Sequence, residues 1–269
     1  MSRSGAGSSK PLKIRFNPPV GYPLGVTPTF RFGASILIPI MRLIARYDYR
    51  EGVKIPKSGP LIVVSNHVSY MDAFALAFFL YSHGRTPRFL GKSQVFRVPI
   101  IGKILLAAEQ IPVERESKEA RVALQYALRL LEMGHLVGVY PEGTLTRDRE
   151  YWPMIAKTGA ARLAVIAKVP VYPAAQWGTQ EVLPPYRKKL RIFPRATVRY
   201  RVGEPVDLSR WYGKEEDPVA MAEATAHIMS AITVLLEEIR GQERPATIFD
   251  PHTSDLPRTG NFRKGAKKL

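Results

Sequence analysis

The sequence predicts an α/β fold: a single domain with a mostly parallel central sheet flanked by helices, plus an N-terminal apolar membrane-interface helix. From Gly59 onward short apolar runs alternate with longer helical stretches, the order expected of parallel strands joined by helices. The chain has 269 residues, long enough for a full-sized core in one domain. It contains no internal repeat and no low-complexity block that would point to a solenoid or a linker array.

Residues 1–27 are rich in Gly, Pro and Ser and carry Arg3, Lys10, Lys13 and Arg15, which reads as a basic flexible segment. Thr27-Pro28 then forms a cap and first-turn proline that open a helix running toward Tyr47, within a segment assigned to 28–50. Its centre, Gly33 to Met41, is apolar on nearly all sides, with Arg31 and Arg42 at its two ends. That stretch is well short of the ~20 residues needed to span a bilayer. Two placements remain open. The helix can lie in a membrane interface with its arginines reaching the headgroups, or it can pack on the core with a kink at Pro39.

The domain proper covers 51–245. Leu61-Ile62-Val63-Val64 reads as the first strand, followed by a helix from about Ser69 to Ser82 and a strand at Arg88-Phe89-Leu90-Gly91. An irregular stretch around Pro99 and Gly102 leads to a short strand at Gln110 to Val113. A helix from Ser117 to Met133 follows, stopped by Gly134. Leu136 to Tyr140 is the next strand, and a helix from Met154 to Lys168 leads into Val169 to Ala175. The alternation in Leu190 to Val202 predicts a strand or hairpin with a solvated arginine face. A closing helix spans Pro218 to Arg240, and residues 246–269 form a basic tail with Arg258, Arg263, Lys264, Lys267 and Lys268.

Composition narrows the chemistry. With no cysteine, disulfides, thiolate metal sites and a cysteine nucleophile are excluded. The net charge of +17 asks for an anionic partner, either nucleic acid or an anionic membrane surface. No helix-turn-helix, zinc-finger or RNP pattern supports nucleic acid. The basic ends serve either as solubilising tails or as headgroup contacts. The first apolar run comes late and lacks a small-residue cleavage site, so the expectation is a chain that is not secreted.

Four segments carry candidate chemistry, each beside an apolar strand. In the first, Asn66-His67-x4-Asp72, histidine can accept a proton near neutral pH. A carboxylate on its other ring nitrogen fixes the tautomer and stabilises the imidazolium. The two side chains can meet only if His67 precedes the helix and Asp72 lies in its first turn, with Ser69 near the N-cap. The same residues also fit a capping role, with Asp72 merely accepting backbone amides. No Gly-x-Ser-x-Gly elbow exists, so the histidine has no resident serine nucleophile and must activate a group brought in. The second segment offers Lys92 and Arg115, which are either phosphate-binding cations or surface ion-pair residues. The third, Tyr140-Pro141-Glu142-Gly143-Thr144, supplies a tight turn with a hydroxyl and amides. The fourth, Val169 to Pro173 with Pro170, is a strand that could wall an apolar chain.

Taken in order over Ser65 to Gly178, these segments resemble the glycerolipid acyltransferase family, in particular its PlsC-like 1-acylglycerol-3-phosphate acyltransferases. The first family motif, Asn-His-x-Ser-x-x-Asp, is matched by Asn66, His67, Ser69 and Asp72. The resemblance implies that His67 is the general base and Asp72 its orienting partner. Val113-Glu114-Arg115 is similar to the second motif, which implies that Arg115 holds the acceptor phosphate, with Lys92 near the same pocket. Pro141 to Thr144 matches the third, but this chain continues Leu145-Thr146-Arg147 where the family commonly has arginine and serine directly. Val169 to Pro173 is similar to the fourth, which in the family borders the substrate pocket.

The resemblance implies an enzyme of phospholipid synthesis with no bound cofactor, using acyl-CoA or acyl-carrier-protein as donor and lysophosphatidate as acceptor at the cytoplasmic face of the cell membrane. Anionic membrane lipids are the expected partners, and nucleic acid is not. Oxyanion donors are expected among backbone amides near Gly143 and Thr144 or at the helix start. Glycerol 3-phosphate or a glycolipid is the alternative acceptor, and a non-catalytic lipid-binding or nucleic-acid-binding protein the alternative class.

Overall fold

The computed structural model describes residues 26–49, 55–113, 117–187, 189–251 and 253–254. Arg115 lies outside the described residues, as do 1–25 and 255–269, which carry the basic ends.

A seven-stranded sheet organises the molecule. Its strands are β1 (Ala45–Asp48), β2 (Leu61–Ser65), β3 (Pro87–Lys92), β4 (Ile111–Val113), β5 (Leu136–Val139), β6 (Val171–Trp177) and β7 (Ala196–Val202), in the order β1-β7-β6-β2-β5-β3-β4. Neighbours are parallel except β6 and β7, so β2 to β6 share one direction and all present their C-terminal ends on one edge. Central β2 is buried along its whole length. Ile62 and Val64 face one core layer while Leu61 and Val63 face the other. A strand covered on both faces needs apolar side chains in both directions, which explains its unbroken apolar run. Each such side chain contributes roughly 1.5–3 kcal/mol by leaving water.

The helices form the outer layers. They are α1 (Pro28–Ile44), α2 (Asp72–Ser82), α3 (Ser93–Phe96), α4 (Ile101–Ala107), α5 (Ser117–Glu132), α6 (Gly159–Ala167), α7 (Thr179–Val182) and α8 (Pro218–Arg240). Side chains of α5, α6 and α8 pack with Ile62 and Val64, whereas those of α1 and α2 pack with Leu61 and Val63. Among the described helices α8 is long and apolar enough to cross a membrane, but it lays Ala224, Ile228 and Ile232 into the core against the sheet. The N-terminal helix, at 17 residues, is not of that length.

Several boundaries differ from the sequence-based expectation. The Thr27 hydroxyl caps α1 by accepting the Phe30 amide at 3.0 Å, as expected, but the helix ends at Ile44, short of Tyr47. Ala45–Asp48 instead pairs with β7, whose edge offers backbone groups that a four-residue sequence pattern cannot announce. Helix α6 begins at Gly159, not Met154. The amides of Met154, Ile155 and Lys157 are engaged by the Glu142 carboxylate, the Phe249 carbonyl and the Pro141 carbonyl, so the segment cannot close helical bonds. The stretch around Pro99 and Gly102 contains α3 and α4, and within Leu190 to Val202 only Ala196–Val202 is strand.

Candidate active site

The C-terminal edge of the parallel strands, where ligands of open α/β sheets gather, collects the first and third sequence segments. Leaving β2, the chain passes Asn66 and His67 and turns at Ser69 to Met71 before α2 starts at Asp72. Ser69 therefore stands ahead of the helix, not at its N-cap, which is Met71. Its hydroxyl accepts the Met71 amide at 3.1 Å and donates to the Leu183 carbonyl at 2.7 Å.

This turn brings His67 onto Asp72. His67 Nδ1 lies 2.8 Å from Asp72 Oδ2, with the imidazole 18% exposed and the carboxylate fully buried. The same oxygen accepts the amides of Val68 at 2.6 Å and Ser69 at 2.8 Å. The other, Oδ1, accepts the Thr179 hydroxyl at 2.5 Å. Orientation of the histidine and capping of the turn are thus one arrangement, since the amides that hold Asp72 also aim it at His67. With Nδ1 held by the carboxylate, Nε2 is the nitrogen left to exchange a proton with a ligand.

Asn66 secures the backbone behind the histidine. It exchanges two bonds with the Gln176 main chain, donating from Nδ2 to the carbonyl at 3.0 Å and accepting the amide at Oδ1 at 2.9 Å. Gln176 Nε2 returns a bond to the Asn66 carbonyl, and the Tyr200 hydroxyl donates to Gln176 Oε1. Just past β6, Gly178 (φ +106°) turns the chain into α7, and a Cβ there would meet the Thr197 carbonyl oxygen at 2.1 Å. That turn delivers Thr179 to Asp72.

From β5 comes the second wall. The Tyr140 ring stacks on the His67 imidazole, centroids 4.3 Å apart and planes 23° apart. Glu142, expected to bind substrate, is instead a buried brace. Oε1 accepts the His67 amide at 3.0 Å and Oε2 the Met154 amide at 3.2 Å. Its carboxyl is raised to about 8, chiefly by burial and further by the nearby Asp72, against the lowering bonds from the Met154 and His67 amides and the Thr146 side chain. Gly143, at φ +67°, lets the turn close beneath the Lys157 side chain. Its amide is bonded to the Tyr140 carbonyl at 2.9 Å, so it cannot serve an oxyanion without losing that bond. The amides of Val68 and Ser69, just before α2, are likewise held by Asp72.

A titration follows from Glu142. A carboxyl whose folded pKa is raised from about 4.5 to about 8 binds more protons folded than unfolded. It stabilises the fold fully below the unfolded value, and this contribution is lost as pH rises through the folded one. Between roughly pH 5 and 8 it gives a decline of about 1.4 kcal/mol per pH unit. Denaturation midpoints measured across that range should fall with pH in the parent more steeply than in Glu142→Gln; equal slopes would refute the assignment.

The remaining sequence candidates are dispersed. Lys92, exposed at the C-terminal end of β3, shares the site's edge of the sheet two strands from β2. Thr144 follows Gly143 in the half-exposed turn, and Pro141 is buried before it. Arg147 is buried and lies close enough to the Tyr70 phenol to offset part of the upward shift that burial causes there. Pro170, expected to support the fourth segment, lies away from this edge. Val171 pairs with Ile62, at the start of β2, so Pro170 sits exposed at the opposite end of the sheet from His67. Conversely, Thr179 and Gln176 are functional neighbours that the sequence reading misses, and Tyr140 stands in its third segment without a role. Nothing in the spacing of Thr179, 107 residues from Asp72, could have paired them.

The model of the Acyltransferase family matches residues 46–177, the stretch from β1 through β6. The chain is 30% identical over 159 residues to the chloroplast 1-acyl-sn-glycerol-3-phosphate acyltransferase of Brassica napus, covering 59% of this chain and 42% of that protein. It is 27% identical to the 1-acyl-sn-glycerol-3-phosphate acyltransferase of Bacillus subtilis, covering 66% of this chain and 82% of that one. The chain thus spans less than half the length of the plant relative. The crystal structure of the 1-acyl-sn-glycerophosphate acyltransferase PlsC from Thermotoga maritima shares the fold, with a TM-score of 0.59, 22% identity, and coverage of 80% of this chain and 79% of that one.

Proposed function

Since this chain belongs to the acyltransferase family, we propose that it moves a fatty acyl group from an acyl thioester to the free sn-2 hydroxyl of lysophosphatidate, giving phosphatidate. The observation that carries the reading is the 2.8 Å contact between His67 and the buried Asp72. His67 Nε2 removes the proton from the acceptor hydroxyl as that oxygen attacks the thioester carbonyl. The tetrahedral intermediate then collapses with loss of the thiolate, which takes the proton back from the imidazolium. Asp72 stabilises that imidazolium, and the stacked Tyr140 ring fixes its plane. No covalent enzyme intermediate is needed. The donor is acyl-CoA or acyl-carrier-protein, and cations on the site's edge, Arg147 and Lys92 among the described residues, would attract the acceptor phosphate.

The acceptor rests on the names of the Brassica napus and Bacillus subtilis relatives. It is tested by offering one acyl donor to lysophosphatidate, glycerol 3-phosphate and lysoglycolipid acceptors and weighing the products by mass spectrometry. Phosphatidate should dominate; turnover of another acceptor with none of lysophosphatidate would reassign the substrate.

The reading includes a membrane surface. The outward side of α1 carries Phe32, Ile36, Ile40 and Leu43, spaced as one helical stripe, with exposed Arg31 and Arg42 at its ends. An apolar stripe bounded by arginines suits the headgroup boundary of a bilayer, where a lysolipid acceptor resides.

A further inference from the structure

A second apolar cluster lies next to that stripe, on a segment the catalytic chemistry does not use. Between α7 and β7 the chain exposes Leu190, Ile192 and Phe193, the last with 89% of its surface open to solvent. The segment is fastened at both ends. The Arg191 amide donates to the Val182 carbonyl at 2.7 Å. The Arg195 guanidinium donates to the Arg42 carbonyl and, at 3.0 Å, to that of Ala45, so it caps the C-terminal end of α1. The cluster is therefore held beside Leu43, itself 74% exposed.

Charge identifies the occupant. Lys189 and Arg191 flank the cluster and are exposed, as are Arg42 and Arg46 at the end of α1. Neither 26–47 nor 182–203 contains an acidic residue. Two copies meeting through such faces would repel, whereas an anionic bilayer satisfies both the apolar tips and the cations around them.

We infer that Leu190, Ile192 and Phe193 form a second lipid-contacting element, entering the headgroup region of an anionic bilayer beside α1. The inference rests on the membrane part of the function above and adds to it a fixed orientation. Two separate contacts define a plane where one helix alone could roll. The same segment leads back to the site, through the Leu183 carbonyl on Ser69 and through Thr179 on Asp72. Docking at this plane therefore sets the site at a fixed height and angle to the bilayer.

The absence of cysteine makes the test direct. Phe193→Cys, Ile36→Cys and Val219→Cys, the last on α8 across the sheet, are each labelled with an environment-sensitive fluorophore. They are then mixed with vesicles of equal parts phosphatidylglycerol and phosphatidylcholine. Blue shifts at positions 193 and 36 but not 219 are expected. A shift at 36 without one at 193 overturns the second contact and leaves the α1 reading intact; no shift at either overturns both. A shift at 193 that grows with protein concentration in the absence of vesicles assigns the face to a second copy and overturns the inference, as does an equal shift at 219. The exposed pair Ile192→Ser with Phe193→Ser should weaken vesicle binding about tenfold while leaving turnover of a short-chain acceptor in solution unchanged. Unchanged vesicle binding would overturn the proposal.

Discussion

Replacing His67 with alanine is expected to lower kcat by roughly 10²–10⁴-fold, the range a positioned general base supplies. That corresponds to about 3–5 kcal/mol of transition-state stabilisation. The acceptor hydroxyl is too weak an acid to lose its proton unaided at neutral pH, and the described site offers no second group in the same place. Asp72 is fully buried, and both Glu142 oxygens are engaged by amides. The substitution should barely touch the fold. The imidazole is partly exposed, and its stack on Tyr140 is worth about 0.5–1.5 kcal/mol. The Glu142 and Thr146 bonds at this position go to the His67 backbone, which alanine retains. Steady-state kinetics beside thermal unfolding therefore separate the two roles. Persistence of more than about a tenth of kcat in a normally folded variant would rule out His67 as the base.

How far the sequence leads to this site depends on the range of the interactions. His67 and Asp72 are five residues apart on one turn, so local geometry relates them, and the apolar run of β2 locates that turn at a strand end. Their supports are not local. Thr179 reaches Asp72 only after the intervening strands and their crossovers have been laid down, and Gln176 meets Asn66 only because β6 pairs with β2. Glu142 illustrates the opposite error. Its type and its place after a strand suggest contact with substrate, whereas the amide of Met154 draws it inward. The Lys157 amide, drawn to the Pro141 carbonyl, is lost to the first turn expected for α6. Apolar patterning reports that the strand after Pro170 exists but not its register, so it does not tell that Pro170 stands at the far end of the sheet from His67. The four-residue β1 carries too short a pattern to be seen against the helix preceding it.

Asp72 is where fold and chemistry are least separable, and two substitutions should divide them. In Asp72→Ala, four donors lose their acceptor: His67 Nδ1, the amides of Val68 and Ser69, and the Thr179 hydroxyl. Each donor left unsatisfied costs about 1–3 kcal/mol. Even with water entering the vacated space, a loss of about 4 kcal/mol or more is expected, a large share of the 5–15 kcal/mol typical of a domain. Asp72→Asn is different. Three of the donors meet at Oδ2, and the one at Oδ1 is a hydroxyl, which can turn to accept. The introduced amide nitrogen is therefore expected to face Thr179 while the amide oxygen keeps His67, Val68 and Ser69. The fold should lose only about 1–2 kcal/mol. The imidazole keeps its tautomer, but the negative charge that stabilises the imidazolium is gone, so kcat should fall about 10²-fold or more. Stability and rate thus part company in the asparagine variant and fall together in the alanine one. If Asp72 only capped the turn, the asparagine variant would keep nearly full turnover. Chemical denaturation and initial rates on the same preparations distinguish the cases.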